Sequence, residues 1–219
     1  PKTWNIHRKQ HVYVTRPNPG AHVYTHATSL NTLFKEVLGI ASTTKEVKRI
    51  LHEQEVLVDG KKRHDERYNV GYLDVISLPK MKNAYRVGFS EKGKITAFEI
   101  PAKEKDVKLV RISGKTTLKA GKQQLRCNDG RTITVEKDAY KVGDSLLISV
   151  PSQEIKNHFA LASGATAIIY KGKYTGNEGT IDHLEDNAAV IKTPEGLVHT
   201  KKAYTFVVGD KKPTIKCSP

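Results

Sequence analysis

Sulfur is scarce, long apolar runs are missing, and the first 35 residues contain no acid. The only cysteines are Cys127 and Cys217, and neither belongs to a Cys-x-x-Cys pair. That excludes a disulfide framework and a zinc ribbon, so both read as free thiols and no metal or other cofactor is expected. No stretch approaches the roughly 18 apolar residues of a membrane span. The opening "PKTWNIHRKQ" has no apolar segment of the signal-peptide kind. A cytoplasmic protein without a membrane partner is expected.

What the chain does have is positive charge. Lys and Arg number 37 against 23 Asp and Glu, a formal net charge of +14, while apolar residues make up 37% of 219 positions. Several modest cores fit that length better than one large one. The excess charge calls for a polyanion, because each phosphate met by Lys or Arg releases condensed counterions. Nucleic acid is the first candidate and an acidic membrane surface the second.

Residues 1–29 read as an extended basic arm. "RPNPG" at 16–20 disfavours helix at Arg16 and Asn18, and few apolar residues are there to order it without a partner. Its candidate RNA contacts are Trp4, Arg8, Lys9 and Arg16. From Leu30 the pattern changes: Leu30, Leu33, Phe34, Val37 and Leu38 recur at the spacing of one buried helical stripe, and Gly39 stands where that helix should stop.

A second helix is expected from Thr43, because Thr43-Thr44-Lys45-Glu46 has the spacing of a capping box. Val47, Ile50 and Leu51 form its apolar side. Lys45, Lys48, Arg49 and His52 fall together on another side. "EVLVDGKKR" then predicts a hairpin turning at Asp59-Gly60, whose return limb carries Lys61, Lys62, Arg63 and Arg67. Helix and hairpin together would offer a phosphate backbone one basic platform. The alternative is ordinary solvated surface, since Lys and Glu occupy most exposed helix faces.

Beyond Pro79 short strands dominate: "KITAFEI", "VKLVRIS", "QQLRC", "RTITVE" and "SLLISV". They predict a compact β domain over 80–155. Only "PSQEIKNHFAL" admits a helix. Residues 156–219 again alternate strands with glycine turns and read as a small barrel. Within it Lys171 to Ile181, "KGKYTGNEGTI", has glycines at 172, 176 and 179, where backbone freedom or close approach is needed.

Residues 30–78 resemble the small RNA-binding module named after ribosomal protein S-four, with Val56-Leu57-Val58-Asp59-Gly60 matching its hairpin signature. Gln54 stands where bacterial members often have glycine. Residues 171–181 resemble a KOW motif of an SH3-like barrel. Arm, module, β-rich middle and KOW segment in this order resemble the S-four-e type of small-subunit ribosomal protein of archaea and eukaryotes; the absence of a long basic C-terminal tail favours an archaeal member.

The resemblance implies an α+β, multidomain chain: an arm (1–29), a helix-hairpin RNA-binding module (30–79), a central β domain (80–155) and an SH3-like KOW barrel with its tail (156–219). It implies a structural constituent of the small ribosomal subunit, with small-subunit rRNA and neighbouring ribosomal proteins as partners and no small-molecule substrate. The implied RNA contacts are the arm residues above, Thr43, Thr44, the four basic-face residues of the second helix, the hairpin's Lys61, Lys62, Arg63 and Arg67, and Lys171, Lys173 and Tyr174.

Other readings compete. S-four-like modules are also appended to RNA-modifying and tRNA-acting enzymes, but no nucleophile motif or phosphate-cradling loop is found here, so no enzyme is expected. A nonspecific RNA-binding KOW protein is the third reading. The pairs His7/His11 and His22/His26 have i, i+4 spacing, yet the proline-rich break between them and the lack of a nearby cysteine argue against zinc. His64-Asp65-Glu66 reads as a solvated turn.

Overall fold

The structure, a computed structural model, describes residues 1–7, 9, 12–136 and 138–217. It consists mostly of strands with few helices, and it divides into two compact units. Residues 1–90 and 94–108 form the first; residues 91–93 and 109–217 form the second.

In the first unit the arm is held by the rest of the chain, contrary to the expectation that it needs a partner for order. Trp4 is only 6% exposed and donates its indole N–H to the Ala27 carbonyl at 2.8 Å. The Ile95 N–H donates to the Thr3 carbonyl at 2.7 Å. Further along, Asn18 donates its backbone N–H to Arg67 and its side-chain amide to Asp65, both at 2.8 Å. A buried indole supplies enough apolar area to fix one end of a polar segment, and hydrogen bonds to a folded neighbour fix the other.

Strand β1 (Ala27–Ser29) leads into helix α1 (Leu30–Thr32), where Ser29 Oγ accepts the Thr32 N–H at 3.1 Å. A π-helical turn over Leu33–Val37 continues it, closed by the bond from Leu38 N–H to the Leu33 carbonyl, and Gly39 stops it at φ 64. The wider turn shifts the stripe. Leu30, Leu33 and Phe34 are fully buried, while Val37 and Leu38 remain half-buried. Each fully buried side chain of this kind contributes about 1.5–3 kcal/mol.

Helix α2 (Thr44–Glu53) packs Val47 and Leu51 inward. After it come β2 (Leu57–Val58), β3 (Lys61–Lys62), β4 (Asn69–Gly71), β5 (Val75–Leu78), β6 (Asn83–Phe89) and β7 (Ile95–Glu99). β1 pairs with β4, and the other five form one sheet in the order β3-β2-β5-β6-β7. The sequence hides β6, because its inward pattern is interrupted by Arg86. That side chain is wholly buried and donates to the Glu104 carboxylate at 2.6 Å and to the Glu104 and Val107 carbonyls. Paired charge stands where an alternation rule looks for an apolar residue.

β8 (Val107–Thr117) carries the chain into the second unit, followed by β9 (Gln123–Cys127), β10 (Thr132–Val135), β11 (Ser145–Ser149) and β12 (Ile155–Phe159). These form a sheet in the order β10-β9-β8-β11-β12, over a core of Val110, Ile112, Leu125, Cys127, Leu146, Ile148 and Val150. β12 corrects the helix admitted for "PSQEIKNHFAL": the segment pairs antiparallel with β11, Phe159 opposite Ser145. An edge strand needs only one inward face, and so short an apolar pattern does not separate strand from helix. Next follow β13 (Thr166–Ile169), β14 (Glu178–Leu184), β15 (Ala188–Thr193), β16 (Gly196–Lys201) and β17 (Thr205–Gly209). Their order is β16-β15-β14-β13-β17.

Candidate nucleic-acid interface

α2 begins as its capping residues dictate. Thr43 Oγ1 accepts the Glu46 N–H at 3.2 Å, and Glu46 Oε2 accepts from Thr43 N at 3.3 Å and Ser42 N at 2.7 Å. The backbone bonds from Ser42 and Thr43 hold the Glu46 carboxyl below its ordinary pKa. Thr43 is therefore engaged in starting the helix. Thr43→Ala should destabilise the chain by about 1 kcal/mol; a denaturant midpoint equal to that of the parent would show that the cap does not matter.

From this start the helix exposes Lys45, Lys48, Arg49 and His52. The segment after β3 lies against that face: Lys48 Nζ is 3.3 Å from Glu66, and the His52 and His64 rings stack at 5.3 Å, tilted by 18°. Beside them the Arg63 guanidinium sits 4.4 Å from the centre of the Tyr68 ring. Burial raises the pKa of that tyrosine, so its phenol stays neutral under the cation. The structure thus brings α2 and the return limb of the hairpin together.

The charges on this surface are not equivalent. Arg49 is paired with Glu53 at 2.9 Å, Lys62 with Glu55 at 3.2 Å and Lys48 with Glu66. Exposed pairs of this sort are worth at most about 1 kcal/mol, which an incoming phosphate can displace. Lys45, Lys61 and Arg67 are exposed and have no carboxylate within ion-pair distance among the described residues. Thr44 is half-buried, its hydroxyl accepting from Asn31 at 3.3 Å.

The hairpin turn is tight because Asp59 and Gly60 both have positive φ, 50° and 74°. Asp59, read from sequence as a turn residue, is also 7% exposed: Oδ1 accepts the Val75 N–H at 3.0 Å, and Oδ2 accepts from Lys108 at 2.7 Å. Nothing local in "LVDGKK" signals a partner 49 positions away.

In the arm, Lys9 and Arg16 are exposed, with the Arg16 guanidinium 5.6 Å from the Tyr24 ring centre. Arg8 and His11 lie outside the described residues. Trp4 corrects a candidate contact: its ring packs against Tyr24 at 5.1 Å inside the chain, so no base can stack on it without dislodging the arm. Of the histidines weighed for zinc, His22 bonds Asp74 at 2.9 Å and His26 meets Phe89 edge-on at 5.8 Å.

In the second unit the "KGKYTGNEGTI" segment runs from the end of β13 into β14. Gly172 and Gly176 have φ of 94° and 100°. Gly179 is needed for a different reason: a Cβ there would lie 2.4 Å from the Lys192 carbonyl oxygen. The loop presents Lys173 above the exposed Tyr174 ring at 5.4 Å, and Lys171 above Tyr170 at the same distance. The Tyr170 hydroxyl donates to the Ala203 carbonyl.

Comparison with known proteins places this geometry among relatives. Residues 81–155 match the model of ribosomal family S4e, and residues 1–25 match that of the RS4NT (NUC023) domain. The protein named small ribosomal subunit protein eS4 of Methanosphaera stadtmanae is 39% identical across 98% of this chain and 91% of its own. That of Methanocella arvoryzae is 38% identical across 99% and 94%. The crystal structure of the 30S ribosomal protein S4e from Thermoplasma acidophilum superposes with a TM-score of 0.74 at 28% identity, covering 84% of this chain and 96% of that one.

Proposed function

Because this chain belongs to the S4e family of ribosomal proteins, we propose that it is a structural, non-enzymatic constituent of the small ribosomal subunit that binds and stabilises folded small-subunit rRNA. The observation that supports this reading best is the meeting of α2 with the return limb of the β2–β3 hairpin, which gathers cations from two elements on one surface. Lys45, Lys48, Arg49 and His52 on the helix and Lys61, Lys62, Arg63 and Arg67 after the turn take phosphates there. This is the work of the S-four-like module, residues 30–79. Thr43 and Thr44 set the start of the helix and supply hydroxyls at its edge.

Lys9 and Arg16 of the arm, with Arg8 by sequence, extend the contact. In the KOW segment of the 156–219 barrel, Lys171, Lys173 and Tyr174 offer two cations and a ring that can stack on a base or ribose. Of the β-rich stretch 80–155, β6 and β7 complete the sheet that carries the hairpin, and β8 to β12 follow in sequence before the KOW segment. Assembly into the ribosome places the protein in the cytoplasm, beside rRNA and neighbouring small-subunit proteins. No helix among the described residues is long and apolar enough to cross a membrane.

Sedimentation tests the reading. Cells carrying a tagged copy should show it co-migrating with small subunits through a high-salt gradient, where loosely held RNA-binding proteins are stripped. Release at the salt that frees nonspecific binders would favour a nonspecific KOW protein instead.

A further inference from the structure

Four ionisable side chains from distant parts of the chain meet inside the first unit. Lys108, at the start of β8, donates to Asp59 at 2.7 Å and to Asp74 at 2.5 Å. Asp74 Oδ1 also meets His22 Nε2 at 2.9 Å, and its Oδ2 accepts the Gly71 N–H at 2.8 Å. Lys108 is 1% exposed and Asp74 3% exposed. Charges removed from water this far persist only when each is paired and hydrogen-bonded. Here the pairing runs from the arm, through the turn between β4 and β5, to the turn of the RNA-binding hairpin.

Each end of this chain of contacts is under constraint. Asp59 sits in the left-handed region at φ 50°, which aspartate takes more readily than most side chains, and its bonds from the Val75 N–H and Lys108 pin the turn in that state. His22 is pressed on β4: a Cβ on Gly71 would come within 2.3 Å of its ring, and Asn69 donates to its carbonyl at 2.9 Å.

We propose that His22, Asp74, Lys108 and Asp59 form a latch through which the seating of the arm positions the hairpin, making His22 and Lys108 positioning residues for rRNA binding. All four side chains are buried, so they act through the turn and not by contact with RNA. When His22 is seated, Asp74 stays in place to hold Lys108, and Lys108 holds Asp59, so Lys61 and Lys62 leave the turn in a single direction. When the arm is displaced, Asp74 turns toward water and draws Lys108 with it. The Asp59 carboxylate then loses the Lys108 ammonium and the turn opens to hydrate it. The proposal rests on the reading that Lys61 and Lys62 meet rRNA.

Hydrogen exchange on the full chain tests the latch at two amides of the hairpin, the Asp59 N–H bonded to Val75 and the Arg63 N–H bonded to Val56. His22→Ala removes the latch's first contact. Gly71→Ala unseats the arm without altering any charge. Both should speed exchange at the two amides at least tenfold and weaken binding to small-subunit rRNA about tenfold, with exchange in β13 and β14 unchanged. His22→Gln, which can still donate to Asp74, should restore most of both effects.

Unchanged exchange at Asp59 and Arg63 in both the alanine variants would overturn the latch, as would failure of His22→Gln to restore it. Faster exchange accompanied by rRNA affinity that ignores Lys61→Glu/Lys62→Glu has a separate meaning. In that case the latch controls the hairpin, but the hairpin is not where rRNA binds.

Discussion

Replacing Lys45, Lys48 and Lys61 together with Glu should lower affinity for small-subunit rRNA on the order of a hundredfold near physiological salt, and should flatten the dependence of log K on log salt by about 2–3. The three are chosen for their surroundings. Lys45 and Lys61 have no carboxylate partner among the described residues, so nothing intramolecular competes with a phosphate for them. Lys48 is shared with Glu66 across the junction of α2 and the post-hairpin segment, where a phosphate would bridge both elements. Arg49 alone should matter less, because Glu53 at 2.9 Å must first be displaced. All three lysines are exposed, so stability should change by no more than about 1 kcal/mol. A folded triple variant that binds rRNA as the parent does, with the same salt slope, removes this surface from the function.

Asp74→Asn should destabilise the chain by about 3–5 kcal/mol at neutral pH, the range for breaking a buried pair from one side. Lys108 and His22 both lose the carboxylate they share. The variant should also change the response to acid. Burial on its own would push the Asp74 carboxyl upward, but the charges of His22 and Lys108 and the hydrogen bonds they donate outweigh it and hold the group well below the carboxylate range. A folded-state pKa lowered in this way means that the ionised carboxylate stabilises the fold at every pH above the unfolded value, about 3.9. The contribution disappears as pH falls below that value toward the folded one. Urea midpoints measured from pH 7 to pH 2 should therefore show a gap between parent and variant that is constant down to about pH 4 and then closes. A gap that stays open in acid would mean that Asp74 acts through shape and not through charge.

How far each element could be foreseen depends on how locally it is specified. The start of α2 follows from Thr43 and Glu46, three positions apart, because the cap is made of neighbours. The Asp59-Gly60 turn follows from the ease with which these two residues take positive φ. β6 is hidden in the sequence because Arg86 breaks its apolar pattern, and distant groups, among them the Glu104 carboxylate and the Glu104 and Val107 carbonyls, make a buried guanidinium tolerable there. β12 was ambiguous because five residues at a sheet edge carry too few inward positions to fix a period. The arm reads as needing a partner because groups that hold it, on Asp65, Arg67 and Ile95, come from other segments of the chain.

The candidate site divides along the same line. Which residues are basic, that an excess of them calls for a polyanion, and which helix face carries Lys45, Lys48, Arg49 and His52 follow from sequence, since charge and helical spacing are properties of neighbours. Which cations already have an acid beside them, that Trp4 is a buried anchor, and that Asp59 is tied through Lys108 and Asp74 to His22 were decided only by tertiary structure. The reason is physical: burial and ion pairing depend on distances between residues tens of positions apart, and those distances exist only once the chain has packed.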